Sequence, residues 1–426
     1  MTRNLWIISN KKVGVAAIKG IDFGSSFLYN EEMKTKQTII LFKGIYDTLD
    51  LFSDRLGAAF AEWKYEVFVY DATNVEVSKV SLLQMLTEKN GNAAVVTFNN
   101  MGYNLEQDGV NVWEHFGVPY INILMDHPFH FERPLKEAPA TAIVLCTDRN
   151  HVKYIRRFYK NIRQTDFLPH AGIELGSRHK ALRERKIDVL YAGALPIFTV
   201  AKMIPNLDDM YGLDLRDMMQ DVLRELVMRP EKTTEQAIEE YVQANCKAGC
   251  ELSDEELHSL IVHMRFIDSY ATSFFREQAV RSLVENGIEV TAYGVGWDRC
   301  EWSNNPHLKY GGKVLAPQIL PLMNDSKIVL NTMTWFKAGA HDRIFNGMLA
   351  GAAVVTDDST YLCHECTDGK EMVMFKRSEI VMLPDRVSDL FGHIERTQEM
   401  ADRGLAFARA NHTWKNRAEY IVECFL

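Results

Sequence analysis

From Thr38 onward the chain alternates between short unbroken apolar runs and longer stretches with apolar residues at helical spacing. Thr38-Ile39-Ile40-Leu41-Phe42 predicts the first strand, and a helix follows through 51–60. The pattern then predicts strands at 66–70, 93–98, 120–125 and 142–146, with helices at 77–87, 110–116 and 149–159. Strands apolar along their whole length, separated by helices, indicate a parallel sheet covered on both faces. The first 36 residues alternate only weakly ("LWIISN", "GVAAIKG", "SSFLYN") and suit a small hairpin or an edge. A first doubly wound α/β domain is therefore expected over 1–175.

A second series opens at Ile187-Asp188-Val189-Leu190-Tyr191 and runs directly into Ala192-Gly193-Ala194. It resumes with strands at 289–293, 328–331, 353–356 and 372–375, and with helices at 316–323 and 386–397. Between its first two strands lies a helical insertion at about 207–286, in which Ser253-Asp254-Glu255-Glu256 reads as a capping box. The second domain is placed at 187–410 and a C-terminal helix at 411–426. In open α/β sheets ligands sit beyond the C-terminal ends of the strands, so two such sheets would share a cleft.

The densest pattern is "WFKAGAHDRIFNGMLAGAAVVTDDSTYL", from Trp335 to Leu362. Gly339 precedes a helix whose first turn carries His341-Asp342-Arg343, and Ile344, Phe345, Met348 and Leu349 form its apolar face. Gly351 would cap it. A glycine turn before a helix is a place where N–H groups face an anion. Other strand ends carry Gly193, Gly294-Val295-Gly296-Trp297, Tyr310-Gly311 and Asn331. Together they suggest a rim of backbone donors which, with the Arg343 guanidinium, would suit a diphosphate. In the first domain Asp126-His127-Pro128 follows a strand and is the candidate catalytic pair. A plain turn is the competing reading of those residues. Phe129-His130 and Pro169-His170-Ala171-Gly172 are weaker candidates, with His170 expected in the interdomain linker.

Length and charge narrow the options. At 426 residues two domains are expected, and a net charge of −9 disfavours a nucleic-acid partner. No apolar run approaches the roughly 20 residues that span a bilayer, and the N-terminus lacks a signal-peptide pattern, so a cytoplasmic setting is expected. Seven cysteines, an odd count, fit a reducing compartment. Cys363-His364-Glu365-Cys366 resembles half a zinc site, but its nearest counterpart, Cys246 and Cys250, is remote in sequence, so ordinary thiols are favoured. Neither G-x-G-x-x-G nor a P-loop motif occurs. No D-x-D stands at a strand end: Asp47-Thr48-Leu49-Asp50 has the wrong spacing and Asp357-Asp358 reads as a turn. No metal or other cofactor is expected.

The succession "YGVGW", "NPHLKYGG", "ILPLMNDSKIVLN", "AGAHDRIFNGMLAGAAVVTD" and "DGKEMVMF" resembles the C-terminal half of glycosyltransferases of the GT-B class. The resemblance is to the bacterial spore-maturation type and spans 290–425. It implies two Rossmann-like domains facing across a cleft, with a nucleotide-diphosphate sugar as substrate held mainly by the second. It implies that Gly193 and Gly296 border the diphosphate and base, that Tyr310 lies by the base, and that Arg343 meets the phosphates. Related retaining enzymes carry Glu-x7-Glu across this helix. Here those positions are Ala338 and Asn346, so the first carboxylate is missing and Asn346 is left to bond ribose hydroxyls. The implied activity is metal-independent sugar transfer to a glycan or protein acceptor. A nucleotide-sugar 2-epimerase and a non-catalytic nucleotide-sugar binder are the alternatives.

Overall fold

The computed structural model describes residues 7–8, 37–176, 179–197, 202, 204–246, 251–333 and 335–426. Its first domain contains β1 (Ile7–Ile8), β2 (Thr38–Lys43), β3 (Glu66–Asp71), β4 (Ala93–Phe98), a small hairpin of β5 (Glu106–Gln107) and β6 (Val110–Asn111), β7 (Tyr120–Leu124), β8 (Ala142–Cys146) and β9 (Gln164–Phe167). The strand order is β1-β3-β2-β4-β7-β8-β9, parallel except for β1, which lies antiparallel on the edge. β4 and β7 are buried along their whole length, which is why they read as unbroken apolar runs. Apart from β1, the expected N-terminal hairpin or edge falls outside the described residues.

The second domain contains β10 (Ile187–Ala192), β11 (Val290–Tyr293), β12 (Leu308–Gly312), β13 (Ser326–Asn331), β14 (Ala353–Asp357) and β15 (Val373–Phe375). Its order, β12-β11-β10-β13-β14-β15, is that of a dinucleotide-binding sheet. In each domain the order reverses beside the first strand, at β2/β4 and at β10/β13, and such switch points open crevices at the strand ends. The molecule is thus two Rossmann-like doubly wound domains with a helical insertion, the GT-B plan.

Strands β9 and β12 and the β5–β6 hairpin were not expected, and three features of the helices also depart from the sequence reading. The helix expected at 110–116 shrinks to Val112–His115, because Asp108 (φ 52°) and Gly109 (φ 78°) make a tight hairpin turn first. Among its described residues the insertion holds four helices, Leu215–Met228, Thr234–Asn245, Asp254–Met264 and Phe266–Glu285. The last of these buries Ala279, Val280 and Leu283 with Val189 and Tyr191 of β10, so it is a covering helix of the second sheet. The second and third lean on the first domain, where Arg157 donates to Glu239 (2.8 and 2.9 Å) and to Asp254 (2.8 and 3.0 Å). The expected capping box is formed: Ser253 N donates to Glu256 at 2.8 Å and Glu256 N to Ser253 Oγ at 3.2 Å.

The third departure is the C-terminal helix, Trp414–Phe425, which crosses back to the first domain. Trp414 packs on Phe52 (ring centroids 4.8 Å apart) and Phe98 (5.5 Å). Arg417 secures the crossing by donating to the carbonyls of Pro169 (2.5 Å) and His170 (2.8 Å). Replacing Trp414 by alanine therefore hollows the first domain's core rather than fraying a tail. Trp414→Ala is expected to cost about 3–5 kcal/mol, read as a lowered urea midpoint. A loss below about 1 kcal/mol would mean that the helix is dispensable.

Candidate active site

The helix Asp342–Leu349 occupies the bottom of the cleft, its buried face provided by Ile344, Phe345, Gly347, Met348 and Leu349. Gly347 lets it lie close to the sheet: a Cβ there would sit 3.0–3.1 Å from Val354 and Val329. Gly351 (φ 65°) closes the helix, its N–H donating to Met348 O at 2.8 Å. Gly339 is not an anion turn. A Cβ on it would lie 2.2 Å from the Thr147 carbonyl, so its smallness serves the approach of the two domains.

Two cavities meet at this helix. The one against the second domain holds about 390 Å³ and is lined by Gly193, Ala194, Tyr293, Gly294, Lys313 and Arg343, among others. The one against the first domain holds about 480 Å³ and reaches Asn99, Asp126 and His170. Thr48, Phe52, His341 and Asp342 line both, so the cavities are adjoining compartments of one cleft.

Arg343 stands at the second-domain compartment. Nη1 donates to Asn331 Oδ1 at 3.1 Å and Nη2 contacts His341 Nε2 at 3.0 Å. A guanidinium only donates, so His341 Nε2 must carry a lone pair and its proton sits on Nδ1. Nδ1 lies 2.5 Å from Asp342 Oδ1 and donates to it. In that tautomer the 3.2 Å approach of Arg343 N to Nδ1 is a contact, not a hydrogen bond. Burial, then the Arg343 charge, pushes the His341 imidazole down to about 4, so it is neutral at physiological pH. Although burial opposes it, the neighbouring His341 holds the Asp342 carboxyl well below the usual carboxylate range. Asp342 Oδ2 also accepts from Asn346 Nδ2 at 2.9 Å, and Asn346 Oδ1 accepts from Ile173 N at 2.8 Å. Asn346 thus lines the cavity while tying the helix to the interdomain linker.

On the opposite wall Asp126 follows β7. Asn99, in the left-handed region (φ 46°), accepts from Met125 N at 2.8 Å and donates to Asp126 Oδ2 at 3.0 Å. Burial pushes the Asp126 carboxyl up, the Asn99 hydrogen bond pulls it down, and the Asp342 charge raises it again. His170 also faces this compartment, its ring stacked 5.9 Å from that of His341, and burial pushes it down to about 3.

The residues expected at the site therefore separate into groups. Gly193, Gly294, His341, Asp342, Arg343 and Asn346 line the second-domain compartment. The proposed rim of free backbone donors is not what forms there: Gly193 N donates to Tyr293 O and Gly294 N to Gly312 O, both at 2.9 Å. Trp297 is fully buried and holds the turn from behind, its Nε1 donating to Gly193 O at 2.8 Å. Gly296 (φ 111°) turns the chain into that tryptophan, and Asn331 positions Arg343. A Cβ on Gly311 would meet the Tyr293 ring at 2.2 Å, so it is a packing glycine. Tyr310 is 42% exposed on edge strand β12 and lines neither compartment. His127, expected beside Asp126 as a catalytic group, is buried instead. Its Nδ1 accepts from Phe129 N at 3.2 Å, its ring stacks on Phe129, and Nε2 lies 3.3 Å from Glu235 Oε2.

Asn99, Thr48, Phe52 and Lys313 were missed, although "FNNMG" carried a turn signal at Asn99. Arg276 was also missed. It is buried on the last insertion helix, donates from Nη1 to Ala194 O at 2.7 Å, and adds positive potential at both Arg343 and His341. Among the described residues no group of three or more His, Cys, Asp or Glu is arranged to hold a metal ion. Cys363 is exposed and Cys366 buried, both as free thiols, and Cys250 lies outside the described residues.

Residues 272–423 match the model of a glycosyl transferase-like family. The match covers most of the last insertion helix, every strand of the second sheet after β10, and most of the C-terminal helix. No curated protein matches the chain by sequence. Among solved structures, a glycosyltransferase from Rickettsia africae is similar at 8% identity, over 93% of this chain and 98% of that one, with a TM-score of 0.47. Sucrose-phosphate synthase from Thermosynechococcus elongatus is similar at 10% identity, over 92% and 98%, with a TM-score of 0.46. TarM is similar at 11% identity with a TM-score of 0.43, over 81% of this chain, which spans 57% of TarM's length.

The assigned tautomer has a direct consequence. His341 is expected to titrate near pH 4 rather than at its ordinary value of 6.5, and Arg343→Met, which removes the adjacent positive charge, is expected to raise that midpoint. Histidine-resolved NMR titration, with His341→Gln assigning the signal, checks both. A midpoint near 6.5 in the native protein would refute the arrangement.

Proposed function

We propose that the protein is a glycosyltransferase that moves a sugar from a nucleotide-diphosphate sugar to a hydroxyl acceptor, on a glycan or protein, without a bound metal. One observation carries the reading: the hydrogen bonds of the Arg343 guanidinium run to the neutral acceptors Asn331 Oδ1 and His341 Nε2. Its charge is held in place at the switch point but not cancelled by a carboxylate bonded to it. A diphosphate in the second-domain compartment would bond that guanidinium directly, adding to the more distant Asp342 charge, and Lys313 at the rim and Arg276 behind Ala194 add to the attraction. The family match over the same half of the chain supports this reading.

In the reaction the bond from the anomeric carbon to the diphosphate breaks and its electron pair leaves with the diphosphate. Arg343 stabilises that charge as it develops, which is the role otherwise given to a metal. The acceptor oxygen forms the new bond to the same carbon, and its proton passes to a carboxylate. Asp126 is the group placed for that step. It faces the shared part of the cleft from the first domain, and burial makes its carboxylate a stronger base than an exposed one. His127 is a positioning residue, buttressing the turn after Asp126 through Phe129 and Glu235.

The first test is donor binding. A native site saturated at about 100 times its Kd raises stability by roughly 2.7 kcal/mol, so a thermal-shift panel of nucleoside diphosphates and their sugars identifies the donor. Arg343→Ala is then expected to weaken that nucleotide by roughly ten-fold or more, since a charge-assisted bond is worth about 1.5–3 kcal/mol. Unchanged affinity by calorimetry would remove Arg343 from the diphosphate site. Product analysis separates transfer from interconversion of two nucleotide sugars, the mark of an epimerase.

Metal independence has its own check. Turnover is expected to survive prolonged dialysis against EDTA, because Arg343 rather than a cation neutralises the leaving group. Loss of activity that manganese or magnesium restores would show that a divalent ion carries that charge.

A further inference from the structure

The two compartments differ sharply in charge, and this bears on the acceptor. The second-domain compartment presents Arg343 and Lys313 against one carboxylate, Asp342, which it shares with its neighbour. The first-domain compartment has no lysine or arginine among its described lining residues, and it carries two carboxylates, Asp126 and Asp342. Its histidines add no positive charge at neutral pH, because burial pushes His170 down to about 3 and His341 to about 4. The rest of the wall is largely apolar: Leu49, Phe52, Met125 and Phe131, leading out to Tyr46, which is 62% exposed at the mouth.

Resting on the donor assignment above, we infer that the first-domain compartment takes an uncharged hydroxyl acceptor with an apolar face, and discriminates against phosphorylated or carboxylated acceptors. The reasoning is electrostatic and steric together. An anionic substituent there would be desolvated beside two like charges with no cation to pair it, which buried sites tolerate poorly. A sugar ring or aryl group instead covers Phe52 and Phe131 with its C–H face while a hydroxyl points at Asp126. The transfer balances: the acceptor O–H bond breaks with its proton going to the Asp126 carboxylate, the oxygen bonds to the anomeric carbon, and the diphosphate departs with the electron pair. Charge in the cleft is thereby sorted, anion on the second domain and neutral nucleophile on the first.

The test uses the full chain and the donor identified by thermal shift, with three acceptors of one skeleton: a p-nitrophenyl hexoside, its 6-phosphate and its 6-amino analogue. The neutral glycoside is expected to exceed the 6-phosphate in kcat/KM by a hundred-fold or more at low salt. Phe131→Ala is expected to raise KM for the glycoside with a smaller change in kcat. Asp126→Asn is expected to lower kcat at least a hundred-fold with little change in nucleotide affinity. Preference for the phosphate or the amine would overturn the inference while leaving the donor assignment intact, and so would donor hydrolysis with sugar passed to none of the three. Failure to bind or cleave any donor would instead overturn the proposed function, and this inference with it.

Discussion

The cleft depends on one buried carboxylate. Asp148 begins the helix after β8 and accepts from Asn150 N at 2.6 Å as its N-cap. Its other oxygen accepts from Ala338 N at 2.7 Å, 190 residues further along and in the other domain. Arg149 N returns a bond to Ala338 O at 3.2 Å, and Gly339 is small enough to let the Thr147 carbonyl approach. Burial pushes the Asp148 carboxyl up to about 6, while the two N–H groups it accepts from pull it down. Those bonds place the loop leading to His341 directly against the strand ends of the first domain. Without the carboxylate the Ala338 N–H would be buried and unpaired, so the juxtaposition of Asp126 with Asp342 follows from this contact.

Arg343 shows how a buried guanidinium can be fixed without a carboxylate bonded to it. A bonded carboxylate would hold it firmly but offset more of its charge. Asn331 and neutral His341 hold it through neutral acceptors, and the Asp342 carboxylate acts on it without a direct hydrogen bond. Asp342 acts one step removed: it fixes the His341 proton on Nδ1, and so keeps Nε2 an acceptor. The same carboxylate opens onto the first-domain compartment, so a single residue serves the field on both sides.

Much of this architecture was legible in the sequence. Both sheets lie between layers, so their central strands had to be apolar throughout, and runs such as Ala93–Phe98 and Ala353–Val355 could be read directly, whereas the polar edge strands β9 and β12 could not. That Arg343 and Asp126 line the cleft was legible because each stands at a strand or helix end, where the crevices of open sheets lie. The errors share a physical cause. Glycines at strand ends mark tight turns whether or not their N–H groups are free, and Gly193 and Gly294 spend theirs on neighbouring strands. His127 looks like Asp126 in sequence, but extended backbone turns it away from the cleft into a partner on the insertion. The C-terminal helix carries no local sign that Trp414 will cross to Phe52. Arg276 reaches Ala194 across 82 residues, a partnership no spacing rule reveals.

The helical insertion, opaque in the sequence, touches each part of the site. Glu235 backs His127 behind Asp126. The carbonyl of Pro230 accepts from Lys337 Nζ at 2.6 Å, in the loop that Asp148 also holds. Arg276 holds Ala194, whose neighbour Gly193 lies against the Arg343 guanidinium. Burial, then repulsion from Arg377, pushes the Lys337 ammonium down to about 7, opposed by the nearby carboxylates of Asp268, Asp357 and Glu235. None of these insertion residues lines either compartment, so they act on where Asp126 and Arg343 stand rather than on the chemistry itself. Two sheets joined by a linker would leave that separation free to vary. An insertion bonded to the loops of both ties the two walls together, which the proposed transfer between a donor on one wall and an acceptor on the other would need.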